Sequence, residues 1–271
     1  MKRLLHPLVS AVLCFGLFFS FSMVAPVLAE VVTYPGAPLQ NVDGHPNALA
    51  PSGSDSGKSN SVKDNRVTLN SGTVGYVYGA INRNDTEAVT GNTVEINGGS
   101  VNGVIYYGQI TGGRSYNNAS GNTVKINGGS VSGFVHGGYA PSSRNGIASD
   151  NTVEISGGTV EGAFIYGGST GMGEFSSIPS VEGGSGSTGD ASWSAGSTAT
   201  ASNNTVTIRG TPTFGSDVWL YGGISASPTG NTLNLHTAGL TVYHMSSFQK
   251  LHFYLPATLE PNGTMLTVAR A

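Results

Sequence analysis

Apolar and polar residues alternate through one short phrase that returns six times along the chain, beginning at Asn65, Asn92, Asn122, Asn151, Asn204 and Asn231. In Asn92–Ile96 (N-T-V-E-I), Val94 and Ile96 fall on one side of an extended strand, and Thr93 and Glu95 on the other. The apolar side recurs as Val67 and Leu69, Val124 and Ile126, Val153 and Ile155, Val206 and Ile208, and Leu233 and Leu235. Successive starts lie 27, 30, 29, 53 and 27 residues apart. A period of that length marks a stacked repeat architecture, in which no unit buries its apolar face without its neighbours.

Each phrase runs into a glycine corner, such as Asn97-Gly98-Gly99, Asn127-Gly128-Gly129 and Ser156-Gly157-Gly158. Asn-Gly and Gly-Gly readily take positive φ, so the chain turns sharply there. A second strand follows, carrying Val74, Val101, Val131 or Val160. It ends in an aliphatic residue, Tyr or His, and Gly: Val77-Tyr78-Gly79, Val135-His136-Gly137, Ile165-Tyr166-Gly167 and Leu220-Tyr221-Gly222. The second repeat offers Ile105-Tyr106-Tyr107-Gly108, where either Tyr could hold the register. Asn-Gly is also a hairpin signal, but hairpins do not explain one register shared by every unit. The pattern predicts an all-β fold, a parallel β-helix or β-solenoid of about six coils built from 27–30-residue repeats. At a strand spacing of about 4.8 Å, six coils make a rod on the order of 30 Å long, with the repeated Asn free to form an amide ladder.

The long interval places an insertion over 169–203, rich in Gly and Ser and without the V-x-I signature; it reads as a surface loop on the stack of 65–243. Residues 30–64 hold four prolines and a polar run, and read as a flexible leader. Residues 1–29 read as a secretory signal peptide: Lys2 and Arg3, an apolar run from Leu8 to Met23, then Val27-Leu28-Ala29 before an expected cleavage at Glu30. The alternating Leu251–Leu255 and Thr264–Val268 read as further strands in 244–271. Nothing like a polar cap follows, as if the architecture were truncated.

Composition narrows the function. Glycine accounts for 41 of 271 residues and charged residues for only 10 %, against about 25 % in ordinary domains. Losing Lys2 and Arg3 leaves 10 basic and 15 acidic residues, a net charge of −5, which argues against a nucleic-acid partner. Cys14 leaves with the signal peptide, so the exported chain is stabilised by packing and hydrogen bonds without disulfides.

Candidate chemistry is sparse. The position after the repeated Thr reads Glu95, Lys125, Glu154, Thr207 and Asn234. Two carboxylates on one face suggest a glycosidase pair, but Glu95 and Glu154 would stand two coils apart, about 10 Å, with Lys125 between. A lysine there keeps both ionised, which suits a general acid badly. The column reads instead as a solvated ladder of alternating sign. His244 and His252, eight residues apart with no Cys or carboxylate nearby, have poor metal-ligand spacing. No catalytic, cofactor-binding or metal-binding residue is assigned. The Thr column (Thr93, Thr123, Thr152, Thr205, Thr232) lacks the second Thr column that a flat lattice-binding face needs. The Tyr column (Tyr78, Tyr166, Tyr221), expected to be exposed, reads either as bracing a corner or as the better candidate for contact with a glycan or protein.

With N-T-V-E-I-x-G-G-x-V repeated and followed by Leu251-His252-Phe253-Tyr254-Leu255-Pro256 and Thr264–Val268, the chain resembles the passenger region of a Gram-negative bacterial autotransporter, over about Asn65 to Val268. The resemblance implies export, passage through the outer membrane, and display of a β-solenoid at the cell surface or its release. It implies a non-catalytic adhesin or display stalk, contacting a host or cell-surface glycan or protein through the Tyr column or the long loop. The alternative within β-helix proteins is a polysaccharide lyase or hydrolase. Autotransporters end in an outer-membrane β-barrel translocator, and no stretch of this sequence reads as its amphipathic strands. A fragment, or delivery by another route, is the expectation that follows.

Overall fold

The computed structural model describes residues 29–42, 45–51, 62–82, 87–102, 109–141, 145–171 and 198–270. The signal-peptide reading, the polar run 52–61, Tyr106, Tyr107 and most of the 169–203 insertion therefore lie outside the described residues. The rest is a β-solenoid of about six turns, as the repeats predict.

The V-x-I phrases form the first sheet. Its eight strands run Val31–Tyr34, Arg66–Leu69, Thr93–Ile96, Thr123–Ile126, Thr152–Ile155, Thr205–Ile208, Thr232–Leu235 and Lys250–Phe253, in sequence order. Every pairing is parallel and in register, with Val94 beside Val124, Val124 beside Val153, and Val153 beside Val206. Parallel neighbours exclude hairpins, which join antiparallel strands. Two strands extend the six repeats. A strand was expected at Leu251–Leu255 and lies at Lys250–Phe253; Val31–Tyr34 was not expected. The flexible leader over 30–64 is corrected there, because Val32 and Tyr34 pair with Val67 and Leu69 in the same two apolar columns. A single V-V-T-Y phrase among prolines is too short for its alternation to stand out.

The second strands of each repeat form a larger sheet. Its main path runs from Gln40–Val42 and His45–Leu49 through Tyr76–Tyr78, Gln109–Ser115, Ser130–Tyr139, Thr159–Ser169 and Trp219–Ile224 to Leu240–Ser246 and Leu266–Arg270. Its first pair, Gln40–Val42 with His45–Leu49, is antiparallel. A short third ladder joins Val89–Thr90 to Ala119–Ser120.

Between the sheets lies one continuous core. Val67, Val94, Val124, Val153 and Val206, and Leu69, Ile96, Ile126, Ile155 and Ile208, are wholly buried. The 53-residue interval hides no coil between its flanks, since Thr152–Ile155 pairs directly with Thr205–Ile208. The described ends of the insertion are packed: Ser169 closes a strand, while Thr170, Ala199 and Ala201 are buried.

The two corner glycines answer two constraints. Gly129 has φ +79°, and a Cβ there would stand 2.6 Å from the Gly99 carbonyl oxygen of the coil below. Gly128 lacks the positive φ, but a Cβ on it would meet the Asn97 carbonyl oxygen at 2.5 Å. Coils can stack at strand spacing only if neither position carries a side chain.

Candidate functional site

The most regular constellation is the repeated Asn, and it faces inward. Asn92, Asn122, Asn204 and Asn231 have no solvent exposure, and Asn65 and Asn151 have 1 %. Each Nδ2 donates to the Oδ1 of the next: Asn65 to Asn92 (2.7 Å), Asn92 to Asn122 (2.9 Å), Asn122 to Asn151 (3.2 Å), Asn151 to Asn204 (3.1 Å) and Asn204 to Asn231 (3.1 Å). The same Oδ1 accepts the backbone N–H of the preceding ladder residue, at 2.9–3.1 Å. The second amide hydrogen goes to a main-chain carbonyl, such as Asn122 to Val89 (3.0 Å) and Asn151 to Ala119 (3.0 Å). Gln249 ends the ladder, its Oε1 accepting the Asn231 N–H at 2.9 Å. A buried amide with both donors and its carbonyl engaged is a structural element with no group left for a ligand.

The residue before each ladder Asn has positive φ: Asp64, Gly91, Gly121, Asp150, Asn203 and Gly230. Asp, Asn and Gly tolerate that conformation best. On the opposite side, glycine pairs make room for the amides. A Cβ on Gly138 would meet Asn151 Nδ2 at 2.5 Å, and one on Gly168 would meet Asn204 Nδ2 at 2.7 Å. The second repeat's register becomes clear from these pairs. Thr111, followed by Gly112-Gly113, pairs with Tyr78 and with His136, so neither Tyr106 nor Tyr107 holds the Tyr position. Aligning repeats on Gly-Gly instead of on Tyr-Gly would have found it.

The Tyr column expected to be exposed is not: Tyr78 and Tyr166 are fully buried, and Tyr221 is half-buried. His136 shares the column and is buried too, with Tyr166 stacked at 4.8 Å on one side and Tyr139 of its own coil at 4.8 Å. Tyr221 continues the stack 5.0 Å beyond Tyr166. Two residues earlier runs a parallel row, with Phe134 to Phe164 at 5.4 Å and Phe164 to Trp219 at 5.6 Å, all half-buried. These rings spend their faces on one another, so the rows offer mainly edges outward, whereas a sugar platform needs a free ring face. Burial holds the Tyr166 phenol well above its ordinary value; burial likewise raises Tyr78, with nearby Arg114 pulling partly the other way. Burial, with the Arg114 charge, pushes the His136 imidazole down to about 3. All three are neutral near pH 7. Arg114 and Tyr139 form part of this cluster, with the guanidinium 5.5 Å from the Tyr139 ring; sequence alignment to the Tyr-Gly ending alone did not reach them.

The acidic column is as expected in register and different in solvation. Lys125 lies between Glu95 and Glu154 on adjacent strands. Glu95 is nearly buried and pairs with Arg66 at 2.5 Å and with Lys125 at 3.8 Å. Glu154 pairs with Arg209. Each carboxylate is thus held by a cation, and the two do not converge. On the first corner a second, exposed amide ladder links Asn127 to Asn97 and Asn97 to Asn70, each at 3.0 Å.

His244 lies tilted against Trp219 at 5.0 Å, and the Asn234 Oδ1 accepts from His252 Nδ1 at 3.0 Å. Among the described residues, no three His, Cys, Asp or Glu side chains converge as metal ligands. A cleft of about 400 Å³ lies between corners 211–214 and 237–241, lined by Thr211, Thr213, Phe214, Thr237 and Leu240 among others, with no ionisable side chain. Among the described residues, no helix is long and apolar enough to cross a membrane.

No protein-family model, curated protein or solved structure matches the chain.

Proposed function

We propose that the chain is an exported, autotransporter-passenger-like β-solenoid that works as a non-catalytic adhesin or display stalk at the surface of a Gram-negative cell. The observation that carries this reading is the way the polar and aromatic side chains are used. The repeated amides, the stacked rings and the paired carboxylates all bond along the stack, coil to coil, instead of converging on a point outside it. Such a module offers length and lateral surface. Binding falls to its exposed flanks, to the long insertion, or to both, with a glycan or protein as partner.

The test pairs binding with turnover. The full chain, secreted by a Gram-negative host, is assayed for retention on cells and glycan arrays and for product release from a polysaccharide panel. Retention without release is the expected result. Release of reducing or unsaturated ends, lost in Glu95→Gln or Glu154→Gln, would replace this reading with that of a β-helix polysaccharide-acting enzyme. Protease accessibility on intact cells tests the surface location separately.

A further inference from the structure

In the second sheet the ladder opens between two neighbouring coils inside the stack. Thr213–Phe214 pairs with Thr159–Val160 of the coil before, and Leu240–Ser246 pairs with Leu266–Arg270 of the coil after, yet Thr213–Phe214 and Leu240 do not pair with each other. Chain length explains the gap. Ile155, Ile208 and Leu235 are neighbours in the first sheet, as Phe164, Trp219 and His244 are in the second. The step from Ile155 to Phe164 is nine residues, from Ile208 to Trp219 eleven, and from Leu235 to His244 nine. The two extra residues bulge the middle coil. At earlier corners the N–H after the glycine donates to the coil before, as Ser130 does to Gly99 and Thr159 to Gly129, each at 2.9 Å. Leu240, in the same place after Gly239, donates instead to Met265 of the following coil at 3.2 Å. What opens between the coils is the cleft of about 400 Å³.

We propose that this cleft is a subsite for a neutral saccharide unit, which rests on the adhesive reading above and gives it a place on the rod. Four threonines line the cleft, Thr211, Thr213, Thr237 and Thr241. Each hydroxyl both donates and accepts, as the hydroxyls of a sugar do. Phe214 and Leu240, which pack in the core, supply apolar surface for the C–H face of a sugar ring. No lining side chain is ionisable, so a charged ligand would give up water without meeting a counter-charge.

The geometry favours a short ligand over an extended peptide. The gap closes again at Tyr243, whose N–H donates to the Val218 carbonyl at 2.8 Å, and Trp219 pairs with His244 just beyond. A strand inserted between two others needs about 4.8 Å on each side along its whole length. A wedge closed at one end does not give that. The volume stands at the small end of the roughly 300–1,000 Å³ usual for ligand pockets, which suits a short sugar.

Saturation-transfer NMR on the secreted full chain tests this. The neutral probes are maltose, lactose, cellobiose and diacetylchitobiose; the controls are glucuronic acid, N-acetylneuraminic acid and a neutral Gly-Ser pentapeptide. Transfer to at least one neutral sugar and to no control is the expected result. Gly239→Asn abolishes it. Asn tolerates the φ of +75°, and a Cβ there meets no heavy atom within 4 Å, so the side chain narrows the cleft without straining the corner. Thr241→Val exchanges a hydroxyl for a methyl group and weakens binding about two- to tenfold, the worth of one hydrogen bond. Both variants keep the wild-type far-ultraviolet spectrum. No transfer to any neutral sugar, transfer that survives Gly239→Asn, or transfer to a control overturns the proposal. Retention on cells, measured on the same chains, separates it from the adhesive role. Retention of a chain that takes up no sugar overturns the subsite and leaves the role standing. Sugar transfer lost in Gly239→Asn, on a chain that no cell retains, upholds the subsite and overturns the role.

Discussion

Asn122 holds five hydrogen bonds together through one side chain: its Oδ1 serves the Asn92 backbone and amide, and its Nδ2 serves Asn151, Val89 and Ser120. Truncation to Ala leaves the buried Asn92 N–H without its acceptor, takes one of three acceptors from Asn92 Nδ2, and removes the donor that serves Asn151, Val89 and Ser120. At about 1–3 kcal/mol per orphaned buried group, Asn122→Ala is expected to destabilise by on the order of 3 kcal/mol or more in urea titration. Asn122→Asp removes a donor and buries a charge, and should cost at least as much. His136 supplies a different residue-scale test. Its folded-state value near 3 lies below the ordinary 6.5 or so of an unfolded chain. The unfolded chain therefore binds more protons between those limits, so this contribution to stability is full above about pH 6.5 and is lost as pH falls toward 3. His136→Phe keeps a stacking ring and removes the titration. The measured slope of stability against pH over that window should be shallower in the variant. An unchanged slope would mean that the imidazole is hydrated in the folded state. Among the described residues His136 Nδ1 and the Thr111 hydroxyl have no hydrogen-bond partner, so His136→Phe breaks no hydrogen bond of the ring nitrogen there.

At the scale of the element, a coil meets only the coils above and below it, which makes energetic coupling short-ranged. Ile126 lies beside Ile155, while Leu235 is three strands away along the same column. Ile126→Val and Ile155→Val are expected to be non-additive in a double-mutant cycle, whereas Ile126→Val and Leu235→Val should add within about 0.5 kcal/mol. A similar logic governs what could be read from the sequence. Val94, Ile96 and their counterparts were legible because alternation and period agree at every copy. The corner glycines were legible because positive φ has a compositional signature. Gly138 and Gly168 were not, since the constraint on them comes from an amide on a different element, Asn151 or Asn204, that no local pattern reveals. The Tyr column was visible as a repeat, but its burial was not. Alternation places Tyr166 on the far side of the strand from Ile165, and only the packing shows that the far side is also covered. Val31–Tyr34 was missed for want of length: one strand without its own Asn carries no period.

For the whole molecule, stability and function draw on the same repetition. The core, the amide ladder and the ring rows run through successive coils, and each coil adds length to the rod. A display or adhesive role needs only that the stack persist as a rigid unit, and that requirement rests on equivalent residues lying at equal spacing. Spin labels on the half-buried Thr column measure this directly, with Thr93 as the common site and Thr205, Thr232 or Lys250 as the second, in a Cys14→Ser chain. These partners lie three, four and five strands from Thr93. Backbone separations should rise in equal steps, about 14, 19 and 24 Å at 4.8 Å per strand, despite the 53-residue interval between Asn151 and Asn204. Separations that jump across that interval, or fail to increase from one partner to the next, would contradict the stacked solenoid and the function proposed from it.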